Sequence, residues 1–540
     1  MKPLHLLVTL ITTLSLTSLA DVRPAKLFSD HMVIQRETQA PVWGWADPGE
    51  TVTVTGDWGA SATTTADAVG KWKLKLQTPA AGGPHAISIQ GRNTVGIKNV
   101  LVGEVWLCSG QSNMDFSMKM LAKSSKRTEE RDKPLADYLK KEMETAQDDL
   151  LRQFTVQKRT SPFAAVATVN GDWAASAPET NPEFSATAYF FGRELRQALG
   201  VPVGLIECAW GGTRVEPWMP AEAFEDDKTM AAYFESNMSA LKGKVAAWDP
   251  AQVEAKHQAA LKRWQATKKR RKPRKAADPK SSSQVPATLF NGMVSPVLPY
   301  ALKGAIWYQG ESNAGHNTEK YARNFKAMIK GWRARWGQGD FPFYFAQLAN
   351  FKAPPAEPVE HNGWASVCDQ QRRTLSLTNT GMAVLNDIGE PNDIHPHNKM
   401  DVGRRLALWA LKNDYGLAIP AWSGPLYRSH EVTGNKVIIS FDHAGAGLMA
   451  GTKSGMDNAQ QTEAPLKRFQ ICGEDREWHW ADAEITGPDA ITVSHPDVRQ
   501  PLVVRYAWAQ NPEGANLYNK EGLPASIFTT ETEIPAREPR

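Results

Sequence analysis

The stretch Gly110-Gln111-Ser112-Asn113-Met114 follows an apolar run, Val105-Trp106-Leu107-Cys108, after one intervening serine. The apolar run predicts a buried strand. A serine between Gly and Asn just past a strand suits an exposed turn, where its hydroxyl acts as a nucleophile if a base and oxyanion donors lie beside it. The other interpretation of Ser112 is a helix N-cap. The string also differs from the G-x-S-x-G turn of α/β-hydrolases, because Met114 follows Asn113.

Two further polar clusters follow predicted strands. Glu207-Cys208-Ala209-Trp210-Gly211-Gly212-Thr213 comes after an apolar run at 203–206. Paired glycines let backbone N–H groups approach a ligand closely, although an ordinary tight turn is the simpler interpretation of this cluster in isolation. Gly304-Ala305-Ile306-Trp307-Tyr308-Gln309-Gly310-Glu311-Ser312-Asn313 is a strand-like run that ends in polar residues. The Asn313 side chain either donates to an oxyanion or caps the following helix.

A fourth cluster, Asn392-Asp393-Ile394-His395-Pro396-His397-Asn398, precedes a predicted helix at 401–411. A histidine with a nearby carboxylate is the base and its orienting group in a Ser-His-Asp site, whereas a lone histidine is more often a solvated or capping residue. Four polar turns in the order Ser, Gly, Asn, His are hard to attribute to coincidence. In parallel α/β sheets, ligands bind at the carboxyl ends of the strands, where all four turns fall.

Together the four clusters resemble the four sequence blocks of the SGNH hydrolases, and their spelling is similar to that of the sialate O-acetylesterase branch with its related bacterial carbohydrate acetylesterases. Two further segments resemble that family's terminal signatures. They are Leu27-Phe28-Ser29-Asp30-His31-Met32-Val33-Ile34-Gln35-Arg36, and Tyr506-Ala507-Trp508-Ala509 through Asn516-Leu517-Tyr518-Asn519. The resemblance spans nearly the whole mature chain and implies hydrolysis of O-acetyl esters on an acetylated carbohydrate substrate.

The resemblance also implies a role for individual residues. Ser112 corresponds to the nucleophile and His395 to the general base, with Asp393 orienting His395. The implied oxyanion hole consists of the Ser112 and Gly212 backbone N–H groups and the Asn313 side chain. Candidates for substrate binding are Gln111, Arg214 and Glu311. No cofactor or metal is needed, because the chain shows no His/Cys cluster at zinc-ligand spacing and no phosphate-binding glycine loop.

The sequence departs from the superfamily pattern at the orienting acid. The superfamily usually has Asp three residues before the histidine, and Asn392 stands there in this chain. Asp393 is therefore the nearest acid in sequence, and three other carboxylates stay open as alternatives: Asp387, Glu390 and Glu311. His397 is a rival general base, and the motif match favours His395.

The substrate and two other functions stay open at this point. The resemblance names sialic acid, but acetylated plant hemicellulose such as xylan or xyloglucan is equally compatible. A sialate carboxylate calls for an Arg, and Arg214 is the candidate, unless it instead holds its loop against Glu216. A carbohydrate-binding protein with a degenerate esterase core is disfavoured because Ser112 and His395 are both present. A lipase or thioesterase is disfavoured because no apolar acyl-binding stretch flanks the motifs.

The length and composition predict a globular protein of two or three domains. The chain has 540 residues, of which 41% are hydrophobic and 22% charged. Its 19 Trp residues suit sugar stacking or β-rich cores. The resemblance implies an SGNH-hydrolase-like, three-layered core, and the alternation of strands with helices, such as one predicted at 316–336, indicates a parallel α/β sheet. Alternating polar and apolar runs at 51–54 and 71–76 predict strands of an N-terminal β-rich module, and a C-terminal β-rich module follows the core. The predicted divisions are a signal peptide at 1–20, a β-sandwich-like module at 21–100, a catalytic domain at 101–418 with insertions at about 113–149 and 221–283, and a β-rich module at 419–540.

The N-terminus predicts export to the periplasm or the medium. Lys2 precedes an apolar run at 6–16, and Ser18-Leu19-Ala20 provides small residues for cleavage after Ala20. The run is too short for a persuasive membrane span, and no later stretch approaches spanning length. Four cysteines would then meet an oxidising compartment: Cys108, Cys208, Cys368 and Cys472. We expect them to be unpaired, with Cys108–Cys208 as the bridge to check.

A basic run, Lys268-Lys269-Arg270-Arg271-Lys272-Pro273-Arg274-Lys275, ends the second insertion. It carries seven positive charges and no negative one, while the whole chain has a net charge of only +4, so the positive excess is local. Such a run binds nucleic acid, an anionic polysaccharide or a membrane surface, or it is a solvated flexible loop, which is the favoured interpretation. The export signal argues against nucleic acid as a partner.

Overall fold

The computed structural model describes residues 21–124, 133–269 and 271–533. The predicted signal peptide at 1–20 lies outside the described residues. The α-helices of the described part are α1 (Ser112–Asp115), α2 (Met118–Ser124), α3 (Lys133–Thr145), α4 (Ala186–Leu199), α5 (Lys228–Ala246), α6 (Pro250–Thr267), α7 (Tyr321–Trp336), α8 (Gly363–Thr374) and α9 (Lys399–Asn413).

The strands fall into three groups along the chain. The first group is β1 (Arg23–Pro24), β2 (Val33–Gln35), β3 (Gln39–Trp45), β4 (Thr51–Gly56), β5 (Ser61–Thr65), β6 (Lys71–Gln77), β7 (Gly82–Gln90) and β8 (Thr94–Gly110). The second is β9 (Asp148–Thr155), β10 (Trp173–Ser176), β11 (Val203–Ala209), β12 (Gly304–Tyr308), β13 (Phe343–Ala346) and β14 (Thr380–Ala383). The third is β15 (Leu426–Thr433), β16 (Lys436–Asp442), β17 (Leu448–Thr452), β18 (Gln460–Gln461), β19 (Phe469–Cys472), β20 (His479–Trp480), β21 (Asp482–Ile485), β22 (Ala490–Ser494), β23 (Val503–Tyr506), β24 (Leu517–Asn519) and β25 (Phe528–Thr529).

The N-terminal strands follow from strict alternation of polar and apolar residues. β6 reads Lys-Trp-Lys-Leu-Lys-Leu-Gln, and its lysines are exposed while Trp72, Leu74 and Leu76 are buried. It pairs antiparallel with β3, which also pairs with β1. The alternating runs predicted at 51–54 and 71–76 are confirmed as strands β4 and β6.

A large mixed sheet forms the centre of the molecule, in the order β10-β9-β11-β8-β12-β13-β14. All neighbours in this order are parallel except β10, which pairs antiparallel with β9. β11 and β12 are buried along their whole length, as expected of strands whose two faces are both covered. The predicted mixture of a largely parallel sheet and β-rich flanking segments is thus present.

Strand β8 belongs to both the N-terminal strands and the central sheet. Its first half pairs with β7 and β2, and its second half pairs with β11 and β12. The predicted division at residue 100 falls inside this 17-residue strand. One continuous strand therefore leads from the N-terminal β-rich segment directly to the Ser112 turn.

Two pairs of helices pack near the central sheet. α4 packs against α9 and contacts β11, while α9 also contacts β13 and β14. α7 packs against α8. The helix predicted at 316–336 begins at Tyr321, after a 3-10 turn at Thr318–Lys320. The helix predicted at 401–411 extends over Lys399–Asn413, because the Asn398 side chain accepts a hydrogen bond from Asp401 N and caps it.

The two predicted insertions contain helices. The described part of 113–149 contains α1, α2 and α3, and 221–283 contains α5 and α6. The basic run follows α6 as irregular chain, with Lys275 paired to Glu254; Arg270 lies outside the described residues. In the ranges that the structure describes, no helix is both long and apolar enough to cross a membrane.

Candidate active site

The Ser112 turn lies where three parallel strands end side by side. Gly110, the last residue of β8, is in register with Ala209 of β11 and Tyr308 of β12. It has φ +141°, and a Cβ there would lie 2.2 Å from Tyr308 O, so only glycine fits. Gln111 N then donates to Tyr308 O at 2.9 Å. Ser112 opens α1 and is partly exposed.

The glycine turn after β11 lies directly against the serine. A Cβ on Gly211 would be 3.2 Å from Ser112 Cβ, which is tighter than an ordinary contact and would force a shift of a few tenths of an ångström. Gly211 N donates to Asp115 Oδ2 at 3.1 Å, and Lys158 pairs with the same oxygen at 2.7 Å. Among the described residues, the N–H groups of Ser112 and Gly212 donate to no protein acceptor. Two backbone donors are therefore free beside Ser112.

Gln309 joins three of the motif turns, and the sequence interpretation missed it. Its side chain is fully buried, and Nε2 lies within hydrogen-bond distance of Gln111 Oε1 (3.2 Å), Thr213 O (3.1 Å) and Asn313 Oδ1 (2.8 Å). Tyr321 OH donates to its Oε1 at 2.9 Å. The polar residue at the end of a buried strand was the available signal, but its partners come from distant parts of the chain.

Gln111 and Asn313 are buried inside this network. Gln111 Oε1 also accepts from Ser312 N at 3.2 Å. Asn313 Oδ1 accepts from Val215 N at 3.0 Å, and Asn313 Nδ2 is directed to Glu216 Oε2 at 3.3 Å. The structure thus places both residues beside the Ser112 turn, with the Asn313 amide nitrogen turned to a carboxylate.

His395 lies beside the helix that Ser112 opens. Its ring stacks on Phe116, with centroids 4.6 Å apart and planes inclined by 18°. Asn113 Nδ2 donates to Ile394 O at 3.0 Å and holds the preceding residue to the same helix. Burial and the charge of Lys399 lower the pKa of His395, and Asp393 opposes this. Within the described residues no hydrogen bond joins Ser112 Oγ to the His395 ring.

Asp393 is the carboxylate that contacts His395. Its Oδ1 accepts from His395 N at 2.8 Å and lies 3.5 Å from His395 Nδ1. The rivals are engaged elsewhere: Asp387 forms a two-pronged ion pair with Arg405 (2.6 and 2.9 Å), and Glu390 bonds His397 Nδ1 at 2.7 Å.

Glu311 is held by Asn113, whose Nδ2 donates to Glu311 Oε1 at 2.5 Å. Burial raises the pKa of Glu311. The candidate for substrate binding is therefore a carboxyl group tied to the residue that follows Ser112. His397, the rival base, is almost completely buried.

Arg214 lies on the glycine turn. Its Nε donates to Gln284 Oε1 at 3.1 Å, and Gln284 Nε2 donates to Gly212 O at 2.7 Å. Over the described ranges Arg214 forms no ion pair with Glu216, whose carboxylate instead accepts from Asn324 at 3.2 Å. The two terminal nitrogens of Arg214 make no hydrogen bond to any described residue.

Other reactive side chains are the four cysteines and one pair of histidines. All four cysteines are free and buried. In the described part of the chain one group of three side chains has ligand atoms within 4.8 Å of one another: His479, His495 and Asp497. They lie in and beside the C-terminal strands, and the two histidines are 16 residues apart in sequence, so their spacing did not indicate a metal site.

Comparison with known proteins places the chain in a family. The model of a carbohydrate esterase family described as sialic acid-specific acetylesterase matches residues 102–243 and 286–412. The unmatched segment between them overlaps the predicted insertion at 221–283. A carbohydrate acetylesterase from Xanthomonas citri, known by its crystal structure, is 35% identical and superposes with a TM-score of 0.76 over 95% of this chain and 100% of its own.

Curated mammalian relatives agree with this. The sialate O-acetylesterase of Rattus norvegicus is 27% identical over 557 residues, covering 94% of each chain. That of Homo sapiens is 26% identical over 548 residues, covering 94% of this chain and 92% of its own. The protein is therefore a carboxylic-ester hydrolase. More particularly, it belongs to the sialic acid-specific acetylesterase family of carbohydrate esterases, and the resemblance seen in the sequence is confirmed.

Proposed function

We propose that this protein is a serine esterase that removes O-acetyl groups from carbohydrate through an acetyl-enzyme on Ser112. Two contacts of the Ser112 turn together carry the proposal: Gly211 lies against Ser112 Cβ, and Phe116, four residues after Ser112, stacks on His395. The Ser112 and Gly212 turns follow the ends of neighbouring parallel strands, and the His395 ring lies against Phe116 just after the Ser112 helix, which supports these roles. The SGNH-type three-layer core is part of the proposal, with the α4–α9 and α7–α8 pairs as its two helical layers.

The reaction then proceeds in two halves. Ser112 Oγ attacks the acetyl carbonyl carbon while His395 takes its proton, and the tetrahedral intermediate collapses as the imidazolium gives that proton to the leaving sugar oxygen. Water, deprotonated by His395, attacks the acetyl-enzyme, and acetate leaves as Ser112 regains its proton. Asp393 holds the imidazole orientation.

The free Ser112 and Gly212 N–H groups supply two oxyanion donors, each contributing about 3 kcal/mol to transition-state stabilisation. Asn313 supplies the third after its amide nitrogen leaves Glu216, a bond whose 3.3 Å length is long for a hydrogen bond to a carboxylate.

The substrate class we favour is O-acetylated sialic acid. The mammalian relatives are named sialate O-acetylesterases, and a sialate carries a carboxylate that needs a cationic partner. Arg214 offers its two unbonded terminal nitrogens on the turn that contains Gly212, to which it is connected through Gln284. A bidentate pair with the sialate carboxylate would hold the sugar at the turn that contains Gly212.

Labelling with a fluorophosphonate, followed by peptide mass spectrometry, tests the nucleophile, and modification of Ser112 is the expected result. Kinetics of Arg214→Gln test the substrate. We expect KM for 9-O-acetyl sialic acid to rise about tenfold or more, with KM for p-nitrophenyl acetate unchanged. Arg335→Gln, on an exposed ion pair with Glu222, is the matched control. An equal loss on acetylated xylan or xyloglucan would argue against the sialate assignment.

Export is also part of the proposal, as is the division into modules at about 21–100, 101–418 and 419–540. The charged start, apolar run and small residues at 18–20 support cleavage after Ala20 and a periplasmic or secreted enzyme. Cell fractionation with N-terminal sequencing tests this, and the expected mature protein begins at Asp21. A full-length protein that stays in the cytoplasm would contradict it.

A further inference from the structure

Lys399 is a buried lysine at the first position of α9, four residues after His395. Its side chain has no exposed surface. Lysines are almost never fully buried unless they are paired, because an ammonium loses its hydration on burial. The sequence interpretation passed over this residue, since a lysine at the start of a helix is expected to face solvent.

The Lys399 ammonium contacts the Ser112 turn directly. Its Nζ donates to Asn113 Oδ1, and it lies 5.4 Å from the centroid of the Tyr308 ring and 6.0 Å from that of Phe116. Asn113 follows the nucleophile, and Phe116 stacks on His395. The lysine therefore contacts both residues that hold His395 beside Ser112.

Three carboxylates interact electrostatically with the ammonium and partly oppose the effect of its burial. Asp393, Glu311 and Glu390 all favour its charged form, while burial is the larger effect and lowers the pKa of Lys399 to about 7. Glu311 Oε2 is buried and has no hydrogen-bond partner among the described residues. Such a cluster does not favour stability compared with an apolar core, because replacing buried charges by apolar residues is often neutral or stabilising.

The charge of Lys399 acts on the general base. After burial, it is the next cause that lowers the pKa of His395, and Asp393 acts in the opposite direction. A cation that disfavours imidazolium keeps His395 neutral and able to accept the Ser112 proton. Strongly perturbed groups that cluster beside a nucleophile are typical of functional sites.

We propose that Lys399 is a positioning residue of the esterase site, joining the Ser112 turn to the His395 loop and favouring the neutral imidazole by its charge. This inference rests on the proposed function, because it assigns His395 the role of general base. Lys399 touches no reacting atom and acts through Asn113, Phe116 and His395.

The test is the pH dependence of kcat/KM for p-nitrophenyl acetate in Lys399→Met, which keeps the length of the side chain and removes the charge. We expect the midpoint of the acid limb to move to higher pH by roughly 0.5 to 1, and kcat on the plateau to fall about tenfold. Lys412→Met is the matched control on the same helix, where the ammonium lies over Trp422, and its profile should match the wild type. An unchanged midpoint in a folded Lys399→Met enzyme would overturn the proposal.

Glu311→Gln provides a second variant in case Lys399→Met does not fold. It preserves an oxygen for Asn113 Nδ2 and removes one of the anions that keep Lys399 protonated, so the pH at which Lys399 loses its proton should fall. NMR of the wild-type protein gives a readout without activity: the His395 imidazole resonance should respond as Lys399 loses its proton near pH 7. A His395 resonance that does not shift as Lys399 loses its proton would contradict the inference, even if the protein is an active esterase. A protein that shows this shift but has no esterase activity would refute only the proposed function.

Discussion

Phe116 and His395 stack face to face, 4.6 Å between ring centroids and 18° between planes. Phe116 directly follows α1, the helix opened by Ser112, and it is nearly buried. The contact orients the imidazole plane relative to the helix that Ser112 opens, although 279 residues separate the two rings in sequence. Offset or stacked aromatic pairs are stabilising beyond the area they bury, so the pair holds the His395 ring in place.

Phe116→Leu removes the aromatic face and retains most of the buried volume. We expect kcat for p-nitrophenyl acetate to fall about tenfold, because the imidazole loses its orientation, while the free energy of unfolding decreases by about 1–2 kcal/mol. Steady-state kinetics and chemical denaturation measure the two effects. Phe163→Leu, at a side chain that is 48% exposed, is the control and should change neither.

Gly211→Ala tests the close approach of the glycine turn to Ser112. The added methyl would lie 3.2 Å from Ser112 Cβ and 3.5 Å from Asp115 Oδ2, so the turn must shift by a few tenths of an ångström. We predict a loss in kcat/KM of about 10- to 100-fold. Gly243→Ala, in α5 with open space around it, should leave activity intact and stabilise its helix by up to about 1 kcal/mol. Equal activities of the two variants would contradict the proposed oxyanion turn.

Asp393→Asn and Asp387→Asn distinguish a carboxylate that orients the His395 ring from one that stabilises the fold. Asp393 is partly exposed and lies 3.5 Å from His395 Nδ1, so its amide variant should lower kcat about 100-fold or more with little change in melting temperature. Asp387 pairs with buried Arg405, and Asp387→Asn should decrease the free energy of unfolding by about 3–5 kcal/mol. Should Asp387→Asn be the variant that loses turnover while staying fully folded, Asp387 would be the orienting acid.

The pH dependence follows from the lowered pKa of His395. The base must be neutral, so kcat/KM falls as pH decreases, and its midpoint should lie below the ordinary histidine value of 6.5. Stability has the same sign: between the lowered pKa and 6.5 the unfolded chain binds more protons than the folded one, so stability also decreases as pH falls through that window. Initial rates should be measured only where melting temperature is constant. A midpoint above 6.5 would contradict the described environment of His395.

Much of the fold was predictable because it depends on local patterns. The buried runs before Ser112 and Gly211 are strands, and the predicted helices at 316–336 and 401–411 exist with shifted ends. The observed helix ends differ from the predicted ones where a capping residue sets the end. Asn398 caps α9, which therefore starts two residues earlier than its apolar pattern indicates. The sequence could not show that the predicted division at residue 100 falls inside one strand, because the two halves of β8 pair with strands from different parts of the chain.

The site was predictable only as far as motifs reach. The sequence motifs identified Ser112, Gly212, His395 and Asp393 as candidate site residues, and their roles stay predictions until tested. Gln309, Phe116 and Lys399 were missed because their importance depends on partners 100 to 300 residues away. A buried lysine in particular contradicts what residue type alone predicts.

Acetate release by wild type and Ser112→Ala, measured in parallel, tests the central claim most directly. The substrates are 9-O-acetyl sialic acid, acetylated xylan, acetylated xyloglucan and p-nitrophenyl acetate. We expect wild type to release acetate from 9-O-acetyl sialic acid and from p-nitrophenyl acetate, and Ser112→Ala to be slower by about 10⁴-fold or more while folded. Activity that survives in Ser112→Ala, or a wild type that releases acetate from none of the four, would contradict it.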